Sequence, residues 1–475
     1  MKIFSVIILL ILSSGYFSEA QQAWSLQQCI DYALSHNITV KQSELNTEYS
    51  KESYEQSIAG FFPSLNGNVG QSYYFGRSID PTSNQFTTNE VRSNNFSLSS
   101  SLSLFEGFQL QNSLKQSMLN YKASQLDLAK IKNDISLNVV TFYLQILYNR
   151  ELLRNTQDQL SVSKAERDKT KRMFDLGAVS KGNLLELEAQ FATDESRLVT
   201  AQSQLDQSIL SLTQLLELDS SGNFTVIDPQ IDIQTTAFQQ PDVNSIYTIA
   251  LNNQPDIKSA EFKVMSSEKG LSIARGGRYP RLTLGGSLST NYSSASQSIT
   301  GFQTGSLPII GYTADSIPRP VYSVFAETTP TFGKKSFKDQ FNDNLSKSVG
   351  LNLSIPIFNG WSVKTSVAHA KIGIEQSRLT LESTKKSLYK SVQQASADAV
   401  SAYKKYVAND RSVQSLQEAF HYNEQKYNLG LTSANDYLLS KNNLAKAQAD
   451  LLQAKYDYVF RIKILDFYQG KALAF

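Results

Sequence analysis

The second half of this chain repeats the first, and no other feature limits its fold so strongly. Phe105-Glu106-Gly107 recurs as Phe358-Asn359-Gly360, and Phe174-Asp175-Leu176-Gly177 as Tyr427-Asn428-Leu429-Gly430, both at an offset of 253 residues. Phe191, Leu198, Leu205 and Leu212 fall on Leu444, Leu451, Tyr458 and Leu465 in the same register. Further upstream the offset is 217, pairing Ala33-Leu34 with Ala250-Leu251, Val40 with Ile257 and Phe62-Pro63 with Tyr279-Pro280. Self-similarity held in register over such a span means a duplicated unit. The offsets differ by 36, so the second copy carries 36 extra residues, all between Pro280 and Phe358.

Each copy reads in the same order: helix, two strands, long helix, turn, long helix. The first repeat, residues 21–217, predicts a helix over 24–60, strands over 65–76 and 93–104, and helices over 108–174 and 183–217. The second, residues 241–475, predicts a helix over 241–277, strands over 282–293 and 345–357, and helices over 361–427 and 434–468. Residues 218–240 read as an irregular linker between them.

All four strands alternate with period two. Leu65, Val69 and Tyr73 share one face of the first, Phe96, Leu98 and Leu102 of the second, Leu282, Leu284 and Leu288 of the third, Val349, Leu351 and Leu353 of the fourth. The opposite faces hold Asn66, Asn68, Ser97, Ser99, Ser101, Thr283, Ser287, Asn352 and Ser354. A soluble sheet with one buried face alternates in the same way. Strand length, however, matches the roughly 9–11 residues that cross a bilayer at a tilt. Aromatic residues gather at the strand ends, among them Phe62, Tyr73, Phe75, Tyr279, Phe108, Phe358 and Trp361, as in an interfacial girdle.

Residues 1–20 read as a secretory leader, with Lys2 ahead of the apolar run Ile3–Ile11 and Ser18-Glu19-Ala20 at the cleavage position. No later stretch has the ~18 apolar residues of a membrane helix, so a chain that enters a bilayer must do so as a closed β-barrel. Four strands cannot close one, because the smallest membrane barrels have about eight. Oligomerisation then follows; two chains would supply eight strands and three would supply twelve.

The helices over 108–174 and 361–427 are each long enough for about 100 Å at ~1.5 Å per residue. The stripe Leu184, Leu187, Phe191, Leu198, Ala201, Leu205, Ile209, Leu212 and Leu216 marks helix–helix packing. An antiparallel coiled coil alone explains these helices but not the strands between them.

The order of elements, the duplication and the two turn motifs resemble the TolC-like outer-membrane efflux channel family over residues 24–470. Its most specific marks are Tyr427-Asn428-Leu429-Gly430-Leu431-Thr432-Ser433-Ala434-Asn435-Asp436 and Phe174-Asp175-Leu176-Gly177-Ala178-Val179-Ser180-Lys181-Gly182-Asn183. They look like the family's periplasmic helix–turn–helix tips. Leu104-Phe105-Glu106-Gly107 and Pro356-Ile357-Phe358-Asn359-Gly360 are similar to its strand-to-helix junctions. The resemblance implies an α+β membrane protein of the Gram-negative outer membrane. It implies a homotrimer whose four strands per chain complete a 12-stranded β-barrel in outer-membrane lipid. A long antiparallel α-helical barrel would form a tunnel in the periplasm, and residues 218–240 with the C-terminal end an equatorial collar. A periplasmic adaptor protein would grip the tips, and an inner-membrane efflux pump or ABC exporter would supply energy. The cargo, small molecule or protein, is left open.

At those tips Gly177 and Gly430 suit a left-handed turn after a helix. Ala178, Val179, Ser180, Leu431, Thr432 and Ser433 are small or apolar and suit docking of another helical hairpin. Asp436, one turn into its helix, matches an aspartate that lines the closed tip in the family. Three copies would form a carboxylate ring that attracts cations, whereas a first-turn aspartate is also ordinary helix chemistry. Asn183 holds the equivalent position in the first copy. Leu439 stands where the family has a second aspartate, which argues against strong cation gating.

The rest of the composition points away from other classes. A net charge of +2 gives no basic face for a nucleic-acid partner. His36, His369 and His421 lack metal-ligand spacing, and the single cysteine, Cys29, excludes zinc clusters and intramolecular disulfides. Helical spacing around Cys29 reads as a buried structural thiol. There is no phosphate loop or dinucleotide fingerprint, so neither an enzyme nor a cofactor is expected. The competing function is a secreted coiled-coil scaffold or adaptor without a pore. The segment 294–344, rich in Ser, Thr, Gly, Pro and Tyr, reads as a long exterior loop that partly caps the pore or is a variable surface loop.

Overall fold

The structure is a computed structural model that describes residues 23–79, 84, 86–87, 90–219, 224–229 and 242–473. The leader read over 1–20 and most of the 218–240 linker lie outside the described residues. In the first copy helices α1 (Leu26–His36) and α2 (Ile38–Ala59) lead to strands β1 (Ser64–Tyr74), β2 (Ser78–Ile79), β3 (Phe86–Thr87) and β4 (Val91–Glu106). Helices α3 (Gln109–Asp175) and α4 (Lys181–Leu215) complete it. The second copy has α5 (Val243–Asn253), α6 (Pro255–Gly276), β5 (Arg281–Ser293), β6 (Gln297–Thr304), β7 (Ile309–Tyr312), β8 (Pro320–Tyr322) and β9 (Thr328–Lys334). It continues with α7 (Phe337–Asp343), β10 (Ser346–Ser354), α8 (Ser362–Asn428) and α9 (Ala434–Tyr468).

The single helices predicted over 24–60 and 241–277 are each broken in two, at positions related by the 217 offset. Asn37 adopts extended backbone, its side-chain Nδ2 donates to the Leu215 carbonyl at 3.0 Å, and its side-chain Oδ1 accepts from the Thr39 N–H at 2.9 Å. At Gln254, also extended, the cause is Pro255, whose ring excludes helical geometry at the residue before it while suiting the first turn of the next helix.

Contacts divide the chain into two units. One, of Ser53–Gln116 and Glu268–Ile372, holds the strands. Its sheet is antiparallel in the order β1-β4-β5-β10. The register aligns the alternation of all four strands. Val69 lies opposite Phe96, Leu98 opposite Leu288, Leu284 opposite both Leu102 and Leu351, and Leu353 opposite Leu282. The other face is a lattice of small polar residues, Ser97 opposite Asn68 and Ser289, Ser287 opposite Ser99 and Ser348. The Ser287 and Ser348 hydroxyls hydrogen-bond at 2.8 Å. The outer strands β1 and β10 are exposed along their whole length and each pairs on one side.

The 294–344 segment is more ordered than a loop. β6 pairs with β9 and β7 with β8, and α7 returns the chain to β10. Gln340 of α7 is buried, donates to the carbonyls of Ser293 and Lys335 at 2.9 and 3.0 Å, and accepts from the Ser293 N–H at 2.9 Å. A glutamine amide thereby serves as one more rung of the ladder at the end of β5, a role no local sequence pattern announces.

Where the strands become helices, backbones meet. Gly107 has φ +60°, and a Cβ there would sit 2.4 Å from the Gly276 carbonyl oxygen and 2.8 Å from Tyr279 Cβ. Phe108 (φ +63°) and Trp361 (φ +65°) follow Gly107 and Gly360 in the same left-handed turn, 253 residues apart. For aromatic residues that conformation is strained.

The second unit is helical, comprising residues through Glu52, Ser117–Ser267 and the chain from Gly373. Its two main cores are built from duplicated positions. Cys29, Ala33 and Val40 pack with Ile135, Val139, Ile146 and Leu212 in one. Ile246, Ala250 and Ile257 pack with Leu388, Val392, Ala399 and Leu465 in the other. Each residue of the first set maps onto its counterpart in the second by 217 or 253. Cys29 occupies the place of Ile246, and burial pushes its thiol up to about 12. In the described part of the linker Val226 bridges to Trp24, and the Tyr143 hydroxyl donates to the Ile227 carbonyl at 2.6 Å.

One polar cluster has no counterpart in the repeat. Lys441 of α9, Asp194 of α4 and Ser163 of α3 are all buried. The Lys441 ammonium donates to the Ser163 hydroxyl, which donates to Asp194. Lys441 Nζ also lies 3.4 Å from Asp194 Oδ2, while Gln190 and Arg197 donate to Asp194 Oδ1 at 2.9 and 3.2 Å. Burial lowers the Lys441 pKa despite Asp194 beside it.

Two stability predictions follow from these contacts. Gly107→Ala combines positive φ with overlap and should cost about 3 kcal/mol, whereas Gly182→Ala, in helical backbone with nothing closer than 3.7 Å to its Cβ, should raise the thermal unfolding midpoint slightly by circular dichroism. Lys441→Met leaves Asp194 buried without its ammonium and should cost about 3 kcal/mol, with much of the loss recovered in Lys441→Met/Asp194→Leu.

Candidate functional site at the helical tips

The turns joining α3 to α4 and α8 to α9 are copies of each other down to single hydrogen bonds. Gly177 N–H donates to the Phe174 carbonyl at 2.8 Å, and Ala178 N–H to Met173 at 2.8 Å. Gly430 donates to Tyr427 at 3.0 Å, and Leu431 to Lys426 at 2.8 Å. This double bonding pattern closes a helix on a left-handed residue; φ is +78° at Gly177 and +72° at Gly430. Three residues after each glycine, the next helix is capped by a serine. The Ser180 hydroxyl accepts from Asn183 N–H at 3.3 Å, and the Ser433 hydroxyl from Asp436 N–H at 3.1 Å. The chain thus reverses within a few residues, leaving no backbone slack.

Asp436 is exposed, and its carboxylate accepts from the Ser433 and Thr432 hydroxyls at 2.7 and 3.2 Å. Those donors hold its carboxyl below the ordinary carboxylate value. Asn183, at the matching place, carries no charge. Leu439, one turn beyond Asp436, is exposed. The tip residues Gly177, Ala178, Ser180, Gly430, Leu431 and Ser433 are exposed, with Val179 and Thr432 half-buried.

Sequence reasoning passed over two residues that the turns present most openly. Leu176 is 85% exposed and Leu429 is 74% exposed. Both precede the turn glycine and are equivalent by the 253 offset, a signal that was available in the repeat. Beneath the tips the two hairpins are tied together. Tyr437 is buried, stacks on Tyr427 with ring centroids 4.7 Å apart and packs beside Phe420 and Leu187. Lys169 of α3 donates to the Asn428 side chain at 2.8 Å. Burial raises the pKa of both tyrosines, so they act as neutral packing groups. An open groove of about 370 Å³, lined in part by Asn155, Gln159, Arg197, Gln204 and Asn442, lies beside the Asp194 cluster.

Among the described residues no group of His, Cys, Asp and Glu side chains is placed to hold a metal ion. What this arrangement offers is two rigid, paired knobs with small and apolar surfaces and one carboxylate. No helix among the described residues is long and apolar enough to cross a membrane; the apolar face of the sheet is the surface suited to lipid.

The model of the family described as outer membrane efflux protein matches residues 29–217 and 246–465. The chain is 24% identical over 464 residues to the outer membrane protein TolC of Escherichia coli, covering 95% of this chain and 83% of that one. It is 22% identical over 452 residues to the toluene efflux pump outer membrane protein TtgC of Pseudomonas putida, covering 92% and 83%. Among solved structures, CusC superposes with a TM-score of 0.74 at 19% identity, covering 94% of this chain and 92% of that one. The Campylobacter jejuni CmeC outer membrane channel gives 0.74 at 17% identity, covering 94% and 87%. On the strength of the duplicated fold and these matches, the chain belongs to the outer membrane efflux protein family, as a TolC-like channel of the outer membrane.

Proposed function

We propose that three copies of the chain close a 12-stranded barrel and serve as the passive exit duct of a tripartite efflux or type I secretion system. The observation that carries this is the sheet itself. β1 and β10 end it with unpaired edges, its apolar residues share one face, and its serines and asparagines share the other. In hydrocarbon each unpaired backbone group costs several kcal/mol, so the edges must meet those of further copies. With the apolar face outward, the polar face lines a water-filled lumen.

The paired turns are the surface we assign to a periplasmic adaptor, with Leu176, Leu429 and Leu431 as apolar knobs flanked by Ala178, Val179 and Thr432. An inner-membrane pump or ABC exporter would deliver cargo through that adaptor. Three copies of Asp436 would ring the aperture, with Asn183 contributing no charge.

Two measurements test this. Purified protein in planar bilayers should form long-lived channels, and Asp436→Asn should lower the cation preference of the reversal potential at least twofold. The Ser433 and Thr432 donors keep the carboxylate charged, so the preference and the cap should hold above the ordinary value of 3.8 and fade as pH drops below it. No channel activity contradicts the duct; unchanged selectivity in Asp436→Asn removes the ring. Replacing Leu176 and Leu429 by Asp should abolish adaptor co-purification while leaving conductance intact.

A further inference from the structure

The outer end of the apolar face carries charge that hydrocarbon would not tolerate. Lys347 of β10 lies opposite Leu288, on the face that holds Val349, Leu351 and Leu353, and it is exposed. On the same face Arg92 lies opposite Tyr73, with its guanidinium 5.5 Å from the Tyr292 ring. This end of the sheet is the one away from the helix junctions at Glu106 and Arg281.

Helix α7 lies against that face as well. The Phe337 and Phe341 rings sit 6.2 and 5.8 Å from Phe96, and Thr290 donates to the Phe341 carbonyl at 2.7 Å. Gln340 anchors the helix, so its exposed Lys338 is presented from a fixed base. The carboxylates of α7 are engaged locally: Asp339 accepts from Ser336 at 2.5 Å, and Asp343 pairs with Lys335 at 2.6 Å. The patch is therefore aromatic and net positive.

Depth agrees with this chemistry. From Arg92 to Leu102 strand β4 runs ten residues, which at ~3.3 Å each and a tilt of ~40° is about 25 Å along the membrane normal. That is the height of a barrel's apolar band. Ile357, 95% exposed, and Phe358 mark one rim; Lys347, Arg92 and Lys338 mark the other. Edge-to-edge closure of the sheet leaves this face pointing outward, so a neighbouring copy does not cover it.

We propose that this belt binds the phosphorylated glycolipid of the outer leaflet, lipopolysaccharide, with Lys347, Arg92 and Lys338 on its phosphates and the Phe337, Phe341 and Tyr292 rings against its sugar and acyl base. Ammonium and guanidinium groups hold phosphate by charge-assisted hydrogen bonds, and aromatic rings with one wet edge suit an interface. The inference rests on the channel reading, because it needs the strands to cross the outer membrane with the helices on the periplasmic side.

The test uses purified full-length protein in zwitterionic detergent, with bisphosphorylated lipid A and its dephosphorylated form as probes, read by native mass spectrometry. The wild type should bind the bisphosphorylated form at least tenfold more tightly. Lys347→Leu/Lys338→Gln should lose most of that preference, and Lys347→Arg should keep it. Equal binding of the two lipids by the wild type, or an unchanged preference in the double variant, would overturn the proposal. Conductance should be the same in all variants; a wild type that forms no channel contradicts the channel reading instead.

Discussion

Backbone hydrogen bonding at the two ends of a four-stranded sheet governs the rest of this molecule. β1 and β10 each have one unpaired edge and exposed faces, and the sheet's apolar side has no cover of its own across most of its area. In water such edges invite aggregation; in lipid they are forbidden. Joining copies edge to edge satisfies the backbone, turns the leucines and valines to lipid and encloses the serines and asparagines. A pore is thus the by-product of satisfying N–H and C=O groups. Each strand pair leads into the following helix through a left-handed turn at Gly107 or Gly360.

Duplication supplies the repeated geometry, and the departures from it carry the individuality. The two cores use equivalent positions, as do the two tip turns. The buried Lys441–Asp194–Ser163 cluster does not: the counterparts are Glu188, Ala447 and Leu416. It therefore marks one contact between the hairpins and no other, which is how a buried polar group specifies a unique arrangement among similar apolar ones. The 36 extra residues of the second copy lie in the segment that holds the ribbons and α7 with its aromatic cluster, at one end of the strands only.

Much of this was legible in the chain. Period two in the strands, the heptad stripe in α4 and the glycine-ended turns are local patterns, and local patterns survive in a single sequence. The breaks at Asn37 and Gln254 were less visible, since apolar spacing runs on through both; Pro255 was the available signal for the second, while the first depends on a bond to Leu215 far along the chain. Gln340 and Asp194 were opaque for the same reason. Each is an ordinary polar residue on a helix until packing buries it against partners dozens of residues away. At the tips, the turn glycines and serine caps could be read directly; Leu176 and Leu429 were marked only by their matching places before the turn glycines, a signal easily passed over because a leucine beside a turn more often packs inward.

The central claim is that the sheet edges force assembly, and the detergent-corrected mass of protein extracted from outer membranes, by light scattering after size exclusion, tests it most directly. The account predicts a single species of three chain masses that leaves the membrane only with detergent. A monomer that dissolves in buffer would contradict it, because its sheet edges would then be stable unpaired and no barrel would exist.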